Sequence, residues 1–315
     1  MPRTHRNLTI VLFCCCVLIW GSSFILIKRG VAVFSPFQVG ALRLLVAGLS
    51  LLPFAIGFLR RSGFRAYNWK LLLLSALTGS ILPGILFPLA QTQVASATTG
   101  ALNALTPLFT LFIGAVLFSQ PVSRLQVLGI LVGLAGSVSL VLDQPFETLT
   151  ANLGYGAFAV AASLLYGVNL NLIKRYLSHL KPLELTSLAM FQVIVPALMY
   201  LFAFSDFTAR LVAVPGAWEG VGYVAILGFA GTALALILFY RLVQLGGPVL
   251  AASNTYFIPF VALLWGLADG EPLGVLHLVG LATVLLGVFL VSKGSRRAPI
   301  RQLWPGSKKT ERTAA

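Results

Sequence analysis

Apolar residues in this chain come in ten runs of roughly twenty, and little else separates them. Each run is long enough to cross the hydrocarbon core of a bilayer as a helix. With edges uncertain by several residues, the runs cover 8–27, 36–59, 69–90, 97–118, 125–142, 153–173, 185–204, 220–240, 248–268 and 273–291. Alternation at period two is absent, which argues against a transmembrane barrel. Composition agrees: 58% of the 315 residues are hydrophobic and only 10% are charged, where a soluble domain carries about 25%. The mean hydropathy is +0.94. The expected fold class is an all-α polytopic membrane protein with ten transmembrane helices.

The formal net charge of +14 invites a nucleic-acid reading, but in a membrane protein positive residues collect in cytoplasmic loops. With the N-terminus inside, 18 of the 22 Lys and Arg fall on the inner side, and only Lys28, Arg29 and Arg210 fall on the outer side. Arg43 lies within a helix. Both termini are therefore expected in the cytoplasm, with the chain in a bacterial inner membrane and a basic tail over 292–315 near anionic lipid. No nucleic-acid partner is expected. The three cysteines, Cys14 to Cys16, are consecutive in the first run and give no disulfide framework.

The chain repeats itself. LIWGSSFILIKRG from Leu18 returns as LLYGVNLNLIKRY from Leu164, and at that offset of 146 Gly21, Lys28 and Arg29 meet Gly167, Lys174 and Arg175, while Pro36 meets Pro182. At an offset of 152, Gly79 meets Gly231 and Pro107 meets Pro259. At 151, Pro121, Gly129 and Gly136 meet Pro272, Gly280 and Gly287. The order-preserving series spans five helices. A five-helix repeat must enter the bilayer from opposite sides in its two copies, so the expected domains are two inverted repeats, 8–142 and 153–291. Inversion also carries Lys28 and Arg29 to the outer side, where positive charge is not otherwise expected. Inverted repeats of this kind recur in secondary transporters, with substrate near the midplane.

The residues also resemble a family. LIWGSSF, the Pro36-initiated ALRLLVAG helix, and the paired units NALTPLFTLFIGAVLFSQPVSRLQVLGILVGLAG and NTYFIPFVALLWGLADGEPLGVLHLVGLATVLLG look like the EamA-type carriers of the drug/metabolite transporter superfamily. The resemblance covers nearly all but the tails. It implies ten helices in two inverted repeats, a central cavity, and transport of small metabolites, often export of amino acids. One departure is visible. The Gly-Glu pair usual before the last helix of each repeat is kept as Gly270-Glu271 but replaced by Ser119-Gln120 in the first half. Lying in a loop, it is given no functional weight.

Ionisable residues deep in a span are costly and functional by default. Arg43 is the one base so placed, and its forked guanidinium suits a substrate carboxylate. A purely structural pairing is the alternative. Ala189 takes the equivalent position in the second half, so the site would be asymmetric. Around it, Trp20, Ser22 and Ser23 are mirrored by Tyr166, Asn169 and Asn171, while Asn103 corresponds to Thr255 beside Asn254 and Tyr256. The candidate substrate-binding set is Arg43, Trp20, Ser23, Asn103, Tyr166, Asn169, Asn254 and Tyr256. Pro107 and Pro259 read as symmetric hinge or kink positions. The glycines at 129, 133, 136, 280 and 287 read as close helix packing, with a dimer contact as a second role, so a monomer and a homodimer both stay open.

No Asp or Glu sits deep in a span, so proton coupling through a membrane carboxylate has no support, and His277 reads as structural. No phosphate-cradling loop, metal cluster, HExxH or GxSxG occurs. No cofactor, no metal and no enzymatic activity are expected. An intramembrane enzyme is a remote alternative class, and an importer or facilitator is the nearer one. The expected partners are a small-molecule substrate and the bilayer.

Overall fold

The computed structural model describes residues 3–118, 122–142, 146–239, 241, 242, 245, 254, 257–271 and 274–297. Tyr256, one of the candidate residues, and Thr255 lie outside them. Among the described residues every regular element is helical. That is the outcome bilayer physics demands, since a backbone polar group in hydrocarbon must find its partner within its own segment or in a closed barrel.

The helices, in chain order, are α1 (Arg3–Val31), α2 (Pro36–Ser62), α3 (Trp69–Gln91), α4 (Ser96–Phe118), α5 (Arg124–Leu142), α6 (Phe146–Leu172), α7 (Pro182–Ala203), α8 (Ala217–Phe239), α9 (Ile258–Ala268) and α10 (Val275–Arg297). A short helix, Phe207–Ala213, lies on the surface between α7 and α8. Seven of the described helices are long and apolar enough to cross a membrane, and shorter apolar segments lie in α5, α9 and α10.

Local chemistry sets several boundaries. Ser35 caps α2, accepting from the Gln38 amide at 3.3 Å while the Gln38 side chain accepts from the Ser35 amide at 2.9 Å, with Pro36 at the first helical position. This reciprocal box satisfies two orphan donors of the first turn. One repeat later, Pro182 opens α7 and Glu184 accepts from the Lys181 amide at 3.4 Å.

Packing joins the two halves throughout. α2 lies along α7, and α5 along α10. α1 contacts α8 and α9, and its repeat counterpart α6 contacts α3 and α4. The closest seam is α5 on α10, where a Cβ on Gly287 would fall 2.5 Å from the Gly133 amide nitrogen and one on Gly129 would fall 2.6 Å from the Gly287 carbonyl. Lipid tails are as apolar as the helix surfaces, so tight backbone approach through small residues is what holds such helices together. These glycine faces pack on each other inside one chain. Facing away, Val116, Val195 and Leu264 are 62 to 63% exposed, an apolar exterior suited to lipid.

Three helices widen locally into π turns: Leu77–Ile81 in α3 and Phe229–Leu234 in α8, at positions the repeat relates, and Ile173–Leu177, which continues α6. Another is interrupted: α4 stops at Asn103 and restarts at Thr106. Just before α9, the Phe257 amide donates to the Asn254 carbonyl at 3.0 Å. Pro107 and Pro259 sit in the first turns of helical segments. Proline's fixed φ and missing N–H suit a first turn, so any hinge lies in the turn ahead of each.

Candidate functional site

The π turn of α8 organises the site. A π turn shifts the hydrogen-bond register and leaves backbone groups available to other partners. Here the Gly231 carbonyl accepts from Trp20 Nε1 of α1 at 3.1 Å. Next in sequence, Thr232 bonds back to the Leu227 carbonyl at 3.4 Å and accepts from Arg43 Nε of α2 at 2.9 Å. The Tyr166 hydroxyl of α6 lies beside the Arg43 guanidinium. Ser23, donating to the Ile19 carbonyl at 3.0 Å, closes over Gly231, where an added Cβ would lie 2.9 Å from its hydroxyl. Four helices from both halves thus meet on one bulge.

Among the described residues, no carboxylate pairs with Arg43. The guanidinium carries five N–H donors in a fixed fork, and the structure commits Nε to Thr232, beside the Tyr166 hydroxyl. Aromatic rings flank it. Tyr166 lies 5.9 Å from Phe87, which lies 5.7 Å from Phe24, and Trp20 lies 5.1 Å from Phe239, all centroid to centroid. Chemically, a guanidinium with no described carboxylate partner and Tyr166 beside it can take an anion.

The π turn of α3 carries a second polar cluster. Asn169 of α6 accepts from Ser75 at 2.8 Å and from Thr78 at 3.5 Å, and a Cβ on Gly79 would fall 2.2 Å from its amide nitrogen. The repeat relates this pairing to Ser23 on Gly231. Asn171 is buried and spends its amide on the Thr110 and Gly167 carbonyls at 2.8 and 2.9 Å.

Of the candidate residues, the structure brings Arg43, Trp20, Ser23 and Tyr166 together. Asn169 belongs to the α3 cluster. Asn103 closes the break in α4, its backbone and side-chain oxygens accepting from Thr106 at 2.8 and 3.4 Å. Asn254 is 0% exposed, and its amide atoms have no hydrogen-bond partner among the described residues. Sequence reasoning missed Thr232, Ser75 and Thr78. A signal was available, since the repeat aligns Gly79 with Gly231 and each glycine has a threonine beside it. A shallow apolar groove of about 230 Å³ runs along the α1–α8 seam past Ser22 and Gly231 and does not include Arg43.

Comparison with known proteins places this geometry. The chain is 27% identical over 296 residues to the uncharacterized inner membrane transporter YedA of Escherichia coli (strain K12), covering 90% of each chain. It is 24% identical over 291 residues to a protein of Streptantibioticus cattleyicolor named "Probable terminal-alkyne amino-acid exporter", covering 89% of this chain and 93% of that one. A solved crystal structure, 17% identical, superposes with a TM-score of 0.60 over 92% of this chain and 99% of that chain, which shows a shared fold. Residues 7–142 and 154–293 match the EamA-like transporter family, and the chain belongs to that family.

Proposed function

We propose that this membrane transporter is a secondary-type carrier that moves small carboxylate-bearing metabolites, amino acids and their relatives foremost, out of the cell by alternating access. The observation that carries the reading is Arg43. Its guanidinium sits within a span, donates to Thr232 beside the Tyr166 hydroxyl, and has no described carboxylate to neutralise it. A charge in that position is expensive and is kept for function, and a planar fork matches a carboxylate bidentately.

Two inverted five-helix repeats supply the mechanism. The contacts α1–α8 and α6–α3, α1–α9 and α6–α4, and the self-paired α2–α7 and α5–α10, are those expected of such repeats related by a two-fold axis in the membrane plane. The π turns of α3 and α8 occur at repeat-related positions, which supports a cavity between the halves. The exporter name of the Streptantibioticus relative favours outward movement, and the charge distribution favours cytoplasmic termini.

Arg43→Gln tests the clamp. The expected result is a folded protein at normal abundance whose transport of an anionic or zwitterionic substrate falls by at least about tenfold, the loss of one charge-assisted pair. Full transport by that variant would make Arg43 structural and end the carboxylate reading.

A further inference from the structure

Residues distant in sequence join the end of α1 to the start of α4. Lys28 Nζ lies 2.5 Å from Asp269 and 2.7 Å from Glu271, and Arg29 pairs with the same Asp269. Glu271 holds more than Lys28. It accepts from the Ser96 amide at 3.0 Å, the Ser96 hydroxyl at 2.8 Å and the Ala97 amide at 3.1 Å. Those amides are orphan donors of α4's first turn, at the positive end of its dipole. One carboxylate, its residue 8% exposed, thus ties α1 and α4 to the α9–α10 turn.

The backbone is shaped for this contact. Gly270, at φ +77°, turns the chain in a conformation other residues resist. Gly266 leaves room for the carboxylate, because a Cβ there would sit 2.6 Å from Glu271 Oε2 and 3.0 Å from Ala97 Cβ. Just beyond, Thr98 Oγ1 meets His277 Nε2 at 2.8 Å. The Gly270-Glu271 pair, given no weight as a loop feature, is therefore a buried tie.

Among the described residues the opposite end shows no such tie. The repeat puts Lys174 and Arg175 at the positions of Lys28 and Arg29, and Gly114 at that of Gly266, so cations and space are kept. At the positions of Asp269 and Glu271 stand Phe118 and Gln120, neither acidic. Lys174 and Arg175 are exposed and form no ion pair among the described residues. From this asymmetry we infer that Lys28, Asp269 and Glu271 form a charge clasp that holds the outer gate of the carrier shut, with no equivalent on the inner gate. The inference rests on the alternating-access reading above. The empty carrier rests closed to the outside, and each outward opening separates these charges. Separation is costly because it leaves a largely buried carboxylate and its helix-end donors unpaired.

Thr99 is fully buried at the start of α4, beneath the clasp, and reports on it without any substrate. In a chain with Cys14, Cys15 and Cys16 replaced by Ala, Thr99→Cys is exposed in intact cells to a membrane-impermeant maleimide. Labelling is expected to be slow with the clasp intact, about tenfold faster with Lys28→Gln or Glu271→Gln, and unchanged with Lys174→Gln. Should Glu271→Gln fail to fold, Lys28→Gln and Arg29→Gln, at more exposed positions, carry the test. Labelling that stays slow in the clasp variants overturns the inference while leaving the transport reading to its own assay. Equal acceleration by Lys174→Gln also overturns it, since the effect would then be general loosening.

Discussion

Arg43 draws its role from what surrounds it. Nε is held by Thr232 and the Tyr166 hydroxyl lies beside it, so in the proposed role the fork is held before a substrate arrives and loses little freedom on binding. Lysine cannot reproduce that geometry. Arg43→Lys is expected to keep charge and fold yet raise KM for a carboxylate substrate by about tenfold, read from uptake into inside-out vesicles. Thr232→Val removes the acceptor while keeping the shape and leaves Nε unpaired, at a cost of about 1–3 kcal/mol. It should raise KM with little change in maximal rate, and Thr232→Ser should restore the wild-type value. Arg43 was legible in the sequence because a lone base inside an apolar run has no bland surface explanation. Thr232 was not, because a threonine in such a run is ordinary until a π turn aims it. Asn169 shows the converse: mirroring the polar residues of α1 in the repeat put it in the candidate set, and Ser75 and Thr78 donate to it.

Helices in this protein meet through glycines whose missing side chains can be measured. Gly79→Ala would put a Cβ 2.2 Å from Asn169 Nδ2, and overpacking of this kind costs about 1–3 kcal/mol. Melting in detergent should show the loss, and adding Asn169→Ala should recover most of it, since the clash is with that one side chain. Gly287→Ala meets backbone at 2.5 Å instead, so no side-chain change at α5 should rescue it. Helix existence was legible from the apolar runs, and the glycines at 129, 133, 136, 280 and 287 correctly announced close packing. Where helices widen or break was not legible. Proline at 107 and 259 advertised a disruption, but its place ahead of the proline depends on Asn103 and Thr106 bonding each other rather than continuing α4.

At the scale of the molecule, the repeat explains both symmetry and its loss. Lys28 and Arg29 stand where Lys174 and Arg175 stand in the second copy, and the structure gives them acids to meet. Burial alone would push the Glu271 carboxyl up, but hydrogen bonds from Lys28, Ser96 and the Ser96 and Ala97 amides outweigh it and hold it below the usual carboxylate value of 4.5. A carboxylate with a lowered pKa adds stability that is present above its unfolded value and lost as pH falls through the folded one. Melting temperature should therefore decline as pH drops below 4.5, and Glu271→Gln should flatten part of that decline while lowering the plateau at neutral pH. Loss of the plateau difference would remove the clasp's contribution to the resting state. The acids at 269 and 271 were visible in the sequence, but their burial was not, because it depends on Gly266 and on α4 arriving beside them.

The central claim is transport of a carboxylate compound through a site built on Arg43. The direct measurement is extracellular metabolite profiling of bacteria overexpressing this chain, set against empty vector and Arg43→Gln. The account predicts a carboxylate-bearing compound that accumulates outside with the wild type and with neither control. The same compound exported equally by Arg43→Gln, or a wild-type profile matching the empty vector, would contradict it.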